Sequence, residues 1–95
     1  MTARDAYVRK LKEQLDRWNA ELSKLEAKAK QPLAGMKDTY EKQLKELRGR
    51  RNVMQQQMAE IQKAGDHAWD QLREGADKAW KAMEESIKKA WSVFK

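Results

Sequence analysis

An Ala-Trp pair recurs three times in the last third of this chain, at a spacing of eleven residues. The segment reads AWDQLREGADK, then AWKAMEESIKK, then AWSVFK, so Trp69, Trp80 and Trp91 share one position of the repeat. Eleven residues over three turns is about 3.67 residues per turn, close to the period of about 3.6 residues of an α-helix. The three indoles therefore lie almost in one line along a helix, and something must cover them.

The apolar face around these indoles is wide. It continues through positions separated by three or four residues: Trp69, Leu72, Ala76, Trp80, Met83, Ile87, Trp91 and Phe94. Contiguous apolar surface of this size usually marks an interaction site. A lipid surface is one cover, but lipid-binding helices are commonly rich in Lys and Arg, whereas residues 66–95 carry six basic and six acidic side chains. This balance favours protein as the cover, either another helix of this chain or a second copy.

A different period governs the first third of the chain. Large apolar residues repeat twice in every seven, at Val8, Leu11, Leu15, Trp18, Leu22, Leu25 and Ala29. Such a narrow seam is typical of a coiled coil and predicts one partner helix. Thr2 and Asp5 are the candidate caps, and we expect helix 1 over about residues 5–31.

The segment around Pro32 and Gly35 leaves two architectures open. A proline in a helix interior costs about 3 kcal/mol and a glycine about 1 kcal/mol, which favours a break at residues 32–35 and a helical hairpin. The apolar phase favours the opposite, because Leu33, Met36 and Tyr40 continue the pattern as though one long helix were only kinked.

The middle third predicts a second, weaker helix over about residues 36–64. Its seam consists of Tyr40, Leu44, Leu47, Met54, Met58 and Ile61, with Arg51 at a seam position where a charge costs stability unless it pairs. A bend at 65–66 is plausible, since Gly65 stops helices and Asp66 caps them. The Trp-rich helix then covers about residues 66–94.

Composition supports an all-α, elongated fold of coiled-coil-type helices in a single unit of 95 residues. Only one proline and four glycines interrupt the chain, and 38% of its residues are charged. No cysteine is present and His67 is the only histidine, so we expect no metal site and no cofactor. Asp66, Asp70 and Glu74 have no neighbouring nucleophile in the pattern and are typical helix-start charges, so we expect no enzyme.

The net charge of +6 raises the question of nucleic acid. The excess lies in residues 1–65, where fifteen basic residues face nine acidic ones. The signs alternate there, as on a solvated helix face, and the stretch 42–51 with Arg48, Arg50 and Arg51 lacks interleaved aromatic residues. Nucleic acid is therefore the least favoured partner.

No segment has the composition of a membrane span or a signal peptide. The longest uncharged run is the eight residues from Asn52 to Ala59, and a spanning helix needs about 20 apolar residues. We expect a cytoplasmic protein, with contact at a membrane surface as the alternative.

The segments YVRKLKEQLDRWNAELSKLEAKAK and DHAWDQLREGADKAWKAMEESIKKAWSVFK resemble small bacterial proteins known only as coiled-coil or hypothetical proteins. The eleven-residue period is also similar to that of apolipoproteins and desiccation-protective proteins. Pro32 and Gly35 depart from the uninterrupted helix that the first resemblance implies. Neither resemblance implies an active site.

The sequence thus predicts a non-enzymatic protein that acts by helix-mediated self-association, as a homo-oligomer, or by binding another helical protein. The alternative is lipid-surface binding through the C-terminal helix, and the third is accessory nucleic-acid binding through residues 42–51. The predicted interaction face consists of Leu11, Leu15, Trp18, Leu22, Leu25, Trp69, Leu72, Trp80, Met83, Ile87, Trp91 and Phe94.

Overall fold

The computed structural model describes residues 2–65 and 67–94. These residues form three α-helices, α1 (Ala3–Ala29), α2 (Lys37–Lys63) and α3 (Ala68–Val93), and contain no β-strand. The predicted all-α class is confirmed, and of its two forms the helical hairpin with a third helix is the one found. The bundle measures 52 × 19 × 17 Å. No helix of the described residues combines the length and apolar character needed to cross a bilayer.

Helix α1 begins at Ala3, earlier than predicted, because Thr2 caps it. The Thr2 hydroxyl accepts a hydrogen bond from the Asp5 N–H at 3.1 Å, and the Thr2 carbonyl accepts one from the Ala6 N–H at 3.1 Å. Removing such a cap costs about 1 kcal/mol. Asp5, the other candidate cap, lies in the first turn, where a negative charge interacts favourably with the helix dipole.

The segment between α1 and α2 is a turn. Helix α1 ends at Ala29, before the predicted end, because the residue preceding a proline disfavours helical geometry and Pro32 has no N–H to donate. Gly35 has a φ of 78°, in the left-handed region that glycine adopts without steric cost. The Met36 N–H then donates to the Leu33 carbonyl at 2.9 Å, and the chain reverses into α2.

The connection between α2 and α3 leaves the helical path at Ala64, whose backbone is extended (φ −73°, ψ 147°). The Arg4 guanidinium donates to the Ala64 carbonyl, which joins the start of α1 to the end of α2. The predicted bend at 65–66 includes Asp66, which lies outside the described residues.

Helix α2 is central and antiparallel to its neighbours, so α1 and α3 run parallel. Arg48 of α2 pairs with Glu26 of α1 at 2.9 Å, and Tyr40 at the start of α2 stacks on Phe94 at the end of α3, with centroids 4.2 Å apart. Helix α2 packs closely on both α1 and α3, whereas α1 and α3 meet mainly through large aromatic side chains.

The core follows the apolar seams. Every seam residue of α1 from Val8 to Leu25 is buried. The narrow seam predicts one partner helix, but it contacts both α2 and α3. The second contact arises because the Trp18 ring reaches Trp80 of α3. Burial of this apolar area is the main stabilising term of the fold. The core consists of Val8, Leu11, Leu15, Trp18, Leu22, Leu25, Tyr40, Leu44, Leu47, Met54, Ile61, Ala76, Met83, Ala90 and Phe94.

Arg51 interrupts the seam of α2 between Leu47 and Met54 and is only partly buried. Its Nη2 donates to the Asn52 Oδ1 at 3.5 Å, a long hydrogen bond. Its Nε is buried and has no hydrogen-bond partner among the residues that the structure describes. A buried polar group without a partner costs about 1–3 kcal/mol. The middle of α2 is therefore a weak point in the core.

Candidate functional site

The line of tryptophans on α3 lies against α1 of the same chain. Tyr7 and Trp18 of α1 are eleven residues apart, as are Trp69 and Trp80 of α3. Since the helices are parallel, the equal spacing brings both pairs into register, with centroids 6.1 Å apart for Tyr7 and Trp69 and 6.3 Å apart for Trp18 and Trp80. Rings at such distances in tilted geometries attract each other. We call Tyr7, Trp18, Trp69, Trp80 and Trp91 the aromatic ladder.

The first rung of the ladder contains a partly buried, hydrogen-bonded phenol. The Tyr7 hydroxyl donates to the Asp77 carboxylate, and the Arg73 guanidinium lies 5.5 Å from the centroid of the Trp69 ring. Partial burial, followed by the hydrogen bond to Asp77, raises the pKa of Tyr7 well above its usual value. The sequence reasoning missed Tyr7, although its spacing from Trp18 was the available signal.

The second rung has one inner and one outer indole. Trp18 is buried, and its Nε1 has no hydrogen-bond partner within residues 2–65 and 67–94. Trp80 is half-buried, and its Nε1 donates to the Glu84 Oε1 at 2.6 Å on the surface of α3. Trp18 therefore supplies most of the apolar contact of this rung, while Trp80 closes it from outside.

The third rung is held by charged residues of α1. The Trp91 Nε1 donates to the Glu21 Oε2 at 2.9 Å, and the Lys28 ammonium lies 5.0 Å from the Trp91 ring centroid. Lys28 also donates to the Phe94 carbonyl at 3.4 Å, where a cation is favourable beside the last carbonyls of a helix. This end of α3 is thus fixed to α1 by the Lys28 contact on the Trp91 ring and by the hydrogen bond from the Trp91 N–H to Glu21.

The predicted interaction face is largely occupied within the chain. Its buried members are Leu11, Leu15, Trp18, Leu22, Leu25, Met83 and Phe94, and its partly buried members are Trp69, Leu72, Trp80, Ile87 and Trp91. Helix α1 and helix α2 supply the neighbours of these side chains. That two chains meet through this face stays a prediction.

The outer surface has an apolar groove between α2 and α3. It encloses about 380 Å³ and is lined by Glu46, Gly49, Arg50, Val53, Ala79 and Met83. Val53 is 50% exposed there, and a Cβ added to Gly49 would meet no atom within 4 Å. The sequence reasoning missed this groove, because Val53 belongs to neither apolar seam. We call it the α2/α3 groove.

Leu33 is the other exposed large apolar side chain among the described residues, at 59% exposure. It lies in the turn between α1 and α2, beside a smaller cavity of about 270 Å³ that Tyr40 and Phe94 also line. Its neighbours Lys28 and Gln31 are polar. This end of the bundle therefore offers a smaller and more polar recess than the α2/α3 groove.

The basic stretch 42–51 is partly neutralised by acidic neighbours. Arg48 pairs with Glu26 at 2.9 Å, and Arg50 pairs with Glu46 at 3.2 Å. Each pair holds its guanidinium along the helix surface. Two of the three arginines in this stretch are thus paired with a carboxylate.

The acidic residues near His67 form helix-surface ion pairs. Asp70 pairs with Arg73 at 3.2 Å and Glu74 with Lys78 at 3.8 Å, at the spacings that bring side chains together on one helix face. Across residues 2–65 and 67–94, no group of three or more His, Cys, Asp or Glu side chains is placed to hold a metal ion.

Comparison of the chain with protein-family models, curated proteins and solved structures found no match. The resemblance to small bacterial coiled-coil proteins stays a prediction.

Proposed function

We propose that the protein is non-enzymatic and works by self-association through the outer surface of its bundle. The observation that supports this is the α2/α3 groove, where Val53 is half-exposed beside the open space at Gly49. Small residues let a second helix approach closely, and the exposed Val53 side chain offers that helix an apolar contact. A second copy carries the same two features, so its Val53 can occupy the space at Gly49 of the first copy, and the reverse.

The aromatic ladder is a less suitable surface for this contact. Its rings already pack between α1 and α3, and Trp91 and Tyr7 also donate hydrogen bonds across that interface. A second chain could reach only the partly exposed edges of these rings unless it displaced α1 and broke these contacts. We therefore place self-association, or binding of another helical protein, at the α2/α3 groove.

Sedimentation equilibrium over about 1 to 100 μM tests this proposal, because association makes the apparent mass depend on concentration. We expect a mass that rises toward twice the 11.2 kDa of the chain. A mass of one chain at every concentration would remove self-association as the function.

Lipid-surface binding is the second candidate, and the partial exposure of Trp69, Trp80 and Trp91 favours it. Partly exposed indoles along one helix suit the headgroup boundary of a bilayer. Flotation with vesicles, with and without anionic lipid, tests this proposal together with tryptophan emission. Co-flotation with a blue shift supports it, and neither signal appears if the protein does not bind lipid.

Nucleic-acid binding through residues 42–51 has the least support, because Glu26 and Glu46 engage Arg48 and Arg50. A cytoplasmic location belongs to the first proposal, and a location at a membrane surface to the second.

A further inference from the structure

Helix α2 carries a second stripe on the side away from its buried seam. Its members are exposed and follow one another at steps of four, three, four, three and four: Lys42, Glu46, Gly49, Val53, Gln56 and Glu60. Two positions in every seven residues is the spacing of a helix-pairing seam. We call these six residues the outer stripe. Its steps are the same read in either direction, so the stripe is symmetric about the level of residue 51.

We infer that two copies of the chain pair antiparallel through their outer stripes, about a two-fold axis at the level of residue 51. This inference rests on the proposed self-association and names the surface that carries it. A two-fold axis makes each contact occur twice, so the stripe must be complementary to itself. Under this symmetry Gly49 faces Val53 of the second copy, Glu46 faces its Gln56, and Lys42 faces its Glu60.

The shapes at the centre of the stripe are complementary. Gly49 leaves open space where a side chain would stand, and Ala79 of α3 lines the same α2/α3 groove. Val53, half-exposed one turn further along α2, is an apolar side chain of a size to enter that space on the second copy. The pairing removes both Val53 side chains from water, which is favourable in proportion to the apolar area buried.

The charges at the ends of the stripe are complementary in the antiparallel orientation alone. Lys42 faces Glu60 of the second copy twice, whereas a parallel pair in register would place Lys42 on Lys42 and Glu60 on Glu60. Among the described residues neither Lys42 nor Glu60 forms an ion pair within the chain, so both are available. Charged pairs flanking an apolar seam set helix orientation in this way.

Charge reversal tests the surface. Lys42→Glu and Glu60→Lys should each weaken dimerisation about tenfold, because each change brings two pairs of like charges together. The double variant Lys42→Glu/Glu60→Lys should restore wild-type affinity. Lys24→Glu, on the exposed surface of α1, makes the same charge change as Lys42→Glu and should leave dimerisation unchanged. Sedimentation equilibrium gives the affinities, and circular dichroism checks that each variant is folded.

Disulfide trapping tests the orientation, since the chain has no cysteine of its own. A mixture of Gly49→Cys and Val53→Cys chains is oxidised, and the linked peptides are identified by mass spectrometry. The antiparallel pair predicts mixed links between positions 49 and 53 in excess of links between identical positions, because disulfides require Cα atoms about 4.4–6.8 Å apart. An excess of links between identical positions overturns the orientation.

The outcomes separate the two proposals. A monomeric wild-type protein removes self-association and this inference together. A wild-type dimer that is insensitive to both single charge reversals, with no mixed 49–53 link, leaves self-association in place and overturns the outer stripe as its surface.

Discussion

The rings of Trp18 and Trp80 lie 6.3 Å apart with their planes at 60°, and they join the two helices of the bundle that do not follow one another in the chain. Because α1 and α3 meet mainly through such rings, the contact fixes the distance between these helices as well as their register. Trp18 is 4% exposed and reaches the centre of the core, while Trp80 is half-buried at its edge.

Trp18→Ala should therefore lower the free energy of unfolding by about 3–5 kcal/mol, the usual cost of removing a large buried ring. Trp80→Ala is the matched control and should lose clearly less, because part of the Trp80 ring is already in contact with water. Urea unfolding followed by far-ultraviolet circular dichroism measures both. Equal losses of unfolding free energy in the two variants would contradict the assignment of Trp18 to the core and Trp80 to its edge.

Tyr7→Phe tests the hydrogen-bonded phenol through the pH dependence of stability. Burial and the hydrogen bond to Asp77 hold the pKa of Tyr7 above its unfolded value of about 10, so above that pH the unfolded chain loses a proton that the folded chain keeps. The stability from this group is complete below about pH 10 and is lost as the pH rises further. The unfolding free energy of the wild type, relative to Tyr7→Phe, should thus be constant up to about pH 9 and fall above about pH 10. A constant difference up to about pH 11 would show that neither partial burial nor the hydrogen bond to Asp77 raises the pKa of Tyr7 in the folded chain.

Gly35→Ala and Gly75→Ala should have opposite effects. Gly35 has a φ of 78°, where a Cβ adds strain of about 1–2 kcal/mol, so the variant should be less stable. Gly75 lies within α3 and a Cβ there meets no atom within 4 Å, so alanine should stabilise the helix by about 0.5–1 kcal/mol. Thermal unfolding compares them, and a stabilising Gly35→Ala would contradict the left-handed turn.

Arg51→Met should raise the unfolding free energy by about 1 kcal/mol, because it removes the buried unpaired Nε and completes the apolar seam between Leu47 and Met54. Arg17→Met, at an exposed position of α1, controls for the loss of charge and should change stability by less than about 0.5 kcal/mol. Urea midpoints measure both variants. If Arg51→Met is less stable than the wild type, the Arg51 guanidinium stabilises the fold, contrary to this prediction.

The local patterns of the sequence predicted the helices but not how they meet. The seam from Val8 to Leu25 is buried as its spacing indicates, since amphipathic periodicity depends on one helix alone. The choice between a turn and a kink at Pro32 stayed open because the apolar phase runs on through Leu33. The structure decides for the turn, since Gly35 has a positive φ. A glycine at this position permits that conformation but does not require it.

The cover of the tryptophans depends on register between segments far apart in the chain. Tyr7 pairs with Trp69 only because α1 and α3 are parallel, and this follows from two chain reversals. The outer stripe was missed for a different reason: five of its six residues are polar or glycine, so apolar periodicity gives no signal there, although the symmetric steps from Lys42 to Glu60 are visible in the sequence.

The most direct test is an isotope-filtered nuclear Overhauser experiment on an equal mixture of labelled and unlabelled chains, which detects contacts between chains alone. Antiparallel pairing through the outer stripes predicts interchain contacts between the Val53 methyls and the Gly49 α-protons, and none between the rings of Trp18 and Trp80. Interchain contacts between Trp18 and Trp80, with none at Val53, would contradict it, because the aromatic ladder would then be the surface that joins two copies.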